Sequence, residues 1–243
     1  MLLAVDIGNT STKFGVFDGD DLTFKFSYPT GETPIELADE IAGDITSAIA
    51  CSVVPDVNDQ LAGLILKRFD AKTIFVTNDL DFGLDIKYEP LDGAGTDRAV
   101  NAFAAVEEYG TPVIVCSLGT ATTIDVVNEK KQLLGGLIGA GMKTSAKALR
   151  FNTARLPEVE IEKPDQLINR STETAIQAGI FYSQVGLIET AVARISRQLP
   201  AKPKVIATGG FAEMIASECA VIDVVDEDLL LHGLRLLNTR RNA

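Results

Sequence analysis

The chain has 243 residues, 46% of them hydrophobic, enough for a substantial core in one large domain or two smaller ones. With 22 basic against 34 acidic residues its formal net charge is -12, which disfavours nucleic acid or an anionic membrane surface as a partner. Cys51, Cys116 and Cys219 are widely separated among apolar or small neighbours, so buried thiols are expected rather than a disulfide framework or a zinc site. The N-terminal MLLAV lacks a basic n-region, and no apolar run approaches the roughly 20 residues of a membrane span; a cytoplasmic protein is the economical reading.

Leu2–Ile7 and Thr12–Phe17 read as strands around a Gly8–Asn9 turn, and Leu22–Tyr28 alternates apolar with polar residues as a third. Thr33-Pro34-Ile35-Glu36 has the form of a capping box with Pro at the first helical position, predicting a helix through Ile41. Ala48–Val54 then reads as a strand, Asp56–Phe69 as a helix, Thr73–Thr77 as a strand and Thr96–Tyr109 as a helix stopped by Gly110. From Thr111 the order begins again: a strand over Val113–Ser117, a Gly turn, a strand over Thr123–Val127, a further strand toward Gly135, and helical segments. Val205–Thr208 reads as a late strand, Gly209-Gly210 leads to a short helix, and Leu229–Leu236 to a closing one.

Each half thus opens with a strand, a Gly turn and a second strand. The internal repeat predicts two related α/β domains, residues 1–110 and 111–243, with a tight junction near Gly110–Pro112 and a ligand cleft between them. AVDIGNT (Ala4–Thr10) and VCSLGTAT (Val115–Thr122) are the two turns, and they differ at one polar position, Asp6 in the first and Ser117 in the second. A Gly turn lets backbone N–H groups converge on phosphate oxygens, and Asn9, Thr10, Thr12, Thr120, Thr122 and Thr123 add side-chain donors. Ordinary hairpin turns would look similar. Against that reading, Asp6 closes an apolar strand where an unpaired carboxylate is costly and a cation or substrate proton would compensate it. A third stretch, Tyr88 to Arg98, places Gly and Ala before a helix whose first turn carries Asp97, a candidate base, beside Arg98, a candidate anion clamp.

The stretches Asp6–Thr10, SVVP at Ser52–Pro55, Tyr88 to Arg98, GTATTID at Gly119–Asp125, TARLP at Thr153–Pro157, STETAIQAGI at Ser171–Ile180 and TGG at Thr208–Gly210 together resemble type III pantothenate kinases. The resemblance implies the actin/hexokinase-like fold: duplicated ribonuclease H-like domains with mixed five-stranded sheets flanked by helices, usually in a homodimer. It implies phosphoryl transfer from ATP to the primary hydroxyl of pantothenate, the first step toward coenzyme A, a reaction that asks mostly for positioning and charge neutralisation. Asp97 matches the family's general base. Asp6 matches the carboxylate that organises Mg²⁺, or another divalent cation, and the phosphates. Gly8, Asn9, Thr10, Ser11, Thr12 and Lys13 would line the ATP loop with Thr120 in the second turn, while Tyr88, Gly95, Thr96, Asp97, Arg98 and Thr172 match positions that touch pantothenate.

Two positions depart from the family. Ser117 replaces an Asp that ordinarily binds K⁺ or ammonium, which implies weakened or absent cation activation, because a hydroxyl brings no charge. Ala140 stands where a Pro is common. Two other readings remain at this level: a non-catalytic paralogue with a regulatory role in transcription, acting through a partner or ligand, and a kinase of the same fold for another small hydroxyl compound. The single His232, in LLLHGLRLL, is expected to pack on a C-terminal helix.

Overall fold

A computed structural model describes residues 1–31, 41, 43–90 and 93–242. The chain forms two compact units, one of Met1–Glu107 with Asp228–Ala243, the other of Glu108–Glu227. The closing helix, expected with the second half, therefore belongs to the first unit. The helix predicted over 33–41 lies outside the described residues except for Ile41, which is buried.

The first unit contains β1 (Leu2–Ile7), β2 (Ser11–Asp18), β3 (Asp21–Pro29), β4 (Ser47–Ser52), a 3-10 turn at Pro55–Val57, α1 (Asn58–Phe69), β5 (Thr73–Phe75), the two-residue β6 (Asp85–Ile86) and α2 (Thr96–Tyr109). Its sheet runs β3-β2-β1-β4-β5, antiparallel through the meander and parallel from β1 onward. Alternation along β1 divides the core into two layers. Leu3, Val5 and Ile7 pack with Phe14, Val16 and the Leu61 and Ile65 side chains of α1. Leu2 and Ala4 pack on the opposite face with Phe17, Ile49, Cys51 and the α2 residues Ala99, Val100 and Phe103.

The second unit holds β7 (Val113–Leu118), β8 (Ala121–Val127), β9 (Gln132–Ala140), α3 (Met142–Asn152), α4 (Thr172–Ser196), β10 (Lys204–Thr208), α5 (Ala212–Ala216) and β11 (Val224–Val225). Its five strands follow the order β9-β8-β7-β10-β11, again antiparallel before the first strand and parallel after it. The repeat visible in the two Gly turns is thus a repeat of topology. Ile114, Cys116, Leu118 and Ile124 meet Ile176, Ile180, Phe181 and Val185 of the long α4. Buried Gln184 of α4 accepts a hydrogen bond from the Thr122 hydroxyl at 2.6 Å and donates to the Ala140 carbonyl at 3.0 Å, tying helix to sheet.

The closing helix α6 (Leu229–Asn242) docks through Leu230, Leu231, Leu234 and Leu237 on the layer formed by β1, β2, β4 and α2. Each fully buried leucine contributes about 1.5–3 kcal/mol, so this helix is held by packing. Approach to α2 is close at Gly233, where an added Cβ would stand 2.8 Å from Val100 Cγ1 and 3.0 Å from the Val100 carbonyl oxygen. Gly233→Val is expected to lower unfolding free energy by about 1–3 kcal/mol through overpacking. The midpoint of urea unfolding measures it, and an unchanged midpoint would contradict this packing.

Candidate active site

Continuing the alternation of β1 beyond Leu2 and Ala4 puts Asp6 on the α2-facing side of the sheet. There it is in register with Lys13 of β2 and Cys51 of β4, so three side chains of different chemistry form a row across three strands. Burial pushes the Asp6 carboxyl up to about 6; Lys13 pulls it back, and the Asp97 charge adds to the rise. Burial also holds the Cys51 thiol high, reinforced by Asp6 and Asp97, so it is an inert neighbour rather than a nucleophile.

Asp97 reaches this row from the first turn of α2, the helix that covers the same face through Ala99, Val100 and Phe103. Its Oδ1 accepts the Arg98 N–H at 2.9 Å, a donor shared with the Gly95 carbonyl at 3.0 Å. Burial raises the Asp97 carboxyl above the ordinary carboxylate value, against the opposing pull of the Arg98 N–H and guanidinium. A Cβ on Gly95 would stand 2.6 Å from Asp97 Oδ1, so only glycine leaves the carboxylate where it is. Arg98 is 6% exposed, and its guanidinium lies 4.9 Å from the centroid of the Tyr88 ring. The pairing of a buried cation with an aromatic face makes Arg98 an anchored group, unlike the solvated arginine that a capping Asp would ordinarily accompany.

At the first turn Gly8 N–H donates to the Ser11 carbonyl at 3.1 Å, and Asn9 and Thr10 are exposed at the tip. Thr12 is buried on the face opposite Asp6 and Lys13. The structure therefore brings Asp6, Lys13, Cys51 and Asp97 together in the first unit and places Arg98 against Tyr88, with Thr96 partly buried beside them.

Ser117, Thr120 and Thr172 lie in the second unit. Its turn repeats the first, with Gly119 N–H donating to the Ala121 carbonyl at 3.1 Å. Thr120 is exposed, while its carbonyl accepts from the Gly141 N–H at 3.1 Å and the Thr144 hydroxyl at 2.6 Å. Ser117, the structural counterpart of Asp6, is in register with Thr123, whose buried hydroxyl has no hydrogen-bond partner among the described residues. Thr172 is the first residue of α4 and is exposed; the cap is Ser171, which accepts the Thr174 N–H at 3.2 Å. No group of three or more His, Cys, Asp or Glu residues suited to a metal occurs among the described residues. Mg²⁺ at a phosphate site needs fewer, because it keeps waters and takes phosphate oxygens beside one or two carboxylates; the costly burial of Asp6 beside Asp97 fits that donor set.

Two features escaped the reading of the sequence. Asn101, one turn after Asp97 and 6% exposed, has a side-chain carbonyl with no hydrogen-bond partner among the described residues; its i, i+4 spacing from Asp97 was the available signal. Thr30, the residue after β3, touches the first turn across 22 residues of chain, and no local pattern announces that contact.

Two mixed sheets of one topology with flanking helices are the architecture of the actin/hexokinase-like fold. The family model of type III pantothenate kinase matches residues 2–194. A type III pantothenate kinase of Geobacillus thermodenitrificans is 43% identical over 98% of this chain and 96% of its own, and one of Brevibacillus brevis is 39% identical over the whole of both. The chain belongs to the type III pantothenate kinase family. Among solved structures, a Campylobacter jejuni protein provisionally described as a Baf family transcriptional activator covers 99% of this chain and 98% of its own with a TM-score of 0.63 at 21% identity. A Listeria monocytogenes protein, provisionally an N-acetylmannosamine kinase, covers 100% of this chain and 99% of its own, with a TM-score of 0.56 at 11% identity. These two likenesses speak for the fold alone.

A carboxyl whose folded value is raised binds its proton more tightly in the native state than in the unfolded chain, so stability falls as pH rises from 3.8 through about 6. Asp6→Asn is therefore expected to melt at a higher temperature than wild type at pH 8 in Mg²⁺-free buffer, with the two curves converging near pH 4. Equal melting temperatures at pH 8 would show that the ionised Asp6 carries no burial penalty.

Proposed function

We propose that this chain transfers the γ-phosphoryl group of ATP to the primary hydroxyl of pantothenate, with Asp97 as general base. The observation that carries the reading is the environment of Asp97: a partly buried carboxyl of raised proton affinity, one oxygen held by the Arg98 N–H, beside the anchored Arg98 guanidinium. The other oxygen takes the hydroxyl proton as that hydroxyl's oxygen bonds to the γ-phosphorus and the bond to ADP breaks. Arg98, with Tyr88, Gly95 and Thr96 around it, receives the pantothenate carboxylate, and a guanidinium fixed on an aromatic ring loses little freedom in binding it. Thr172, exposed at the start of α4, is a further pantothenate contact.

Asp6 and Lys13 serve the nucleotide end, with the turn from Gly8 to Ser11, Thr12 behind it, and Thr120. When bound, Mg²⁺ would be held by Asp6 and would supply charge neutralisation to the phosphates. Ser117 and Thr123 offer two hydroxyls and no carboxylate in register, a set that does not fit a monovalent cation of the family's kind. The enzyme works as a homodimer in the cytoplasm; Leu134 and Ile138 of β9, exposed at 46% and 65%, support a subunit contact, and no helix among the described residues is long and apolar enough to cross a membrane.

Pantothenate-dependent ADP formation tests the reading. Asp97→Asn is expected to lower kcat by about 10²–10⁴-fold while ATP affinity stays within about twofold, since a base is removed and no phosphate donor is. Wild-type kcat should fall on the acid side, with its limb above the ordinary aspartate range. Near-normal turnover by Asp97→Asn would refute the base assignment. Turnover is expected to be equal in Na⁺, K⁺ and ammonium buffers; a requirement for K⁺ would show that the Ser117 position still holds a cation.

A further inference from the structure

Thr30 is tied to the first Gly turn at three points. Its N–H donates to the Thr10 carbonyl at 3.0 Å, its hydroxyl lies 2.6 Å from the Gly8 carbonyl, and the same hydroxyl lies 3.0 Å from that of Thr12. A hydroxyl has one proton. The Gly8 carbonyl can only accept, so the Thr30 proton goes there, and the contact with Thr12 requires Thr12 to be the donor. Thr12 is 3% exposed and faces the layer of Phe14 and Val16, away from Asp6 and Lys13. Its proton is thus committed inside the protein and is not offered to a phosphate.

The second unit repeats the arrangement. Thr122 holds the place in β8 that Thr12 holds in β2, in register with the last residue of the preceding strand, Leu118 for the one and Ile7 for the other. It too is buried, 1% exposed, and its proton goes to a remote side chain, the carbonyl of Gln184, which itself holds a main-chain carbonyl at Ala140. In both units the threonine that follows the turn is a brace, and a residue distant in sequence receives it.

We propose that Thr30 is a positioning residue for nucleotide binding: through Gly8, Thr10 and Thr12 it fixes the orientation of the turn whose backbone N–H groups receive the phosphates of ATP. The proposal rests on reading that turn as the phosphate cradle. Carbonyls held from behind cannot rotate into the cradle, so the N–H groups are aimed before the nucleotide arrives and less ordering is left to binding. Thr30 does not touch the reacting atoms.

The test compares full-length wild type, Thr30→Val and Thr30→Ser by calorimetric titration with MgATP, by steady-state kinetics and by thermal melting. Thr30→Val keeps shape and β-branching but loses both hydroxyl contacts. It is expected to weaken MgATP binding and raise KM for ATP by about five- to tenfold, with KM for pantothenate within about twofold. Thr30→Ser should bring both nucleotide constants back to within about twofold of wild type. Unchanged MgATP affinity in Thr30→Val would overturn the role of Thr30 and leave the kinase reading standing. So would a loss that Thr30→Ser fails to rescue and that follows a fallen melting temperature, because the residue would then be structural only. A wild-type chain that binds MgATP but leaves pantothenate unphosphorylated would refute the substrate reading and leave the comparison of Thr30 variants decisive.

Discussion

Asp6 sits where the alternation of β1 leads from the core-facing positions of Leu2 and Ala4 to a charged one on the same face, so the first unit packs its apolar layer around a carboxylate. Lys13 and Cys51 are its neighbours because the β1 register with β2 and β4 makes them so. Asp97 is its neighbour because α2 covers the same face. Apolar packing of α2 and α6 thereby sets an electrostatic relation, two carboxylates brought near each other in a partly buried row, that no local preference would favour. The cost of desolvating Asp6 makes its surroundings attractive to positive charge.

The two units share one topology but divide their chemistry. The first carries the carboxylates and the anchored arginine; the second repeats the turn with Ser117 in place of Asp6. What both retain is the brace behind the turn, Thr12 with Thr30 and Thr122 with Gln184. A buried hydroxyl must place its proton somewhere, and in each unit it does so on a residue that also grips the main chain near the turn. Between the two units the hydrogen-bonded threonine is common to both, while the carboxylate is not.

Much of the fold was legible because its signals are local. The strand over Leu2–Ile7 and the helix over Thr96–Tyr109 coincide with β1 and α2, since an apolar alternating run and a helix stopped by Gly110 each carry their own boundaries. The closing helix runs on to Asn242, beyond the predicted Leu236, because its polar last turns extend from an end anchored by Leu231, Leu234 and Leu237. The two-residue strands β6 and β11 went unread, being too short for any periodicity. Residue types at the site were legible too: Asp6, Asp97 and Arg98 stood out as charges at positions that folding alone does not ask for. The burial of Arg98 against Tyr88 was not, because it depends on where a loop ten residues upstream returns.

By itself the sequence determined the repeat, the strand and helix types, the family resemblance and the difference between Asp6 and Ser117 in the two turns, all properties of residue identity and short-range spacing. Only the tertiary structure decided that α6 belongs with the first unit, that Lys13 shares a face with Asp6 while Thr12 does not, and that Thr30 braces the turn from 22 residues away. The physical reason is that these depend on register and on helix docking. A one-residue shift of register exchanges the two faces of a strand, and contacts between distant segments are selected by the packing of the whole core.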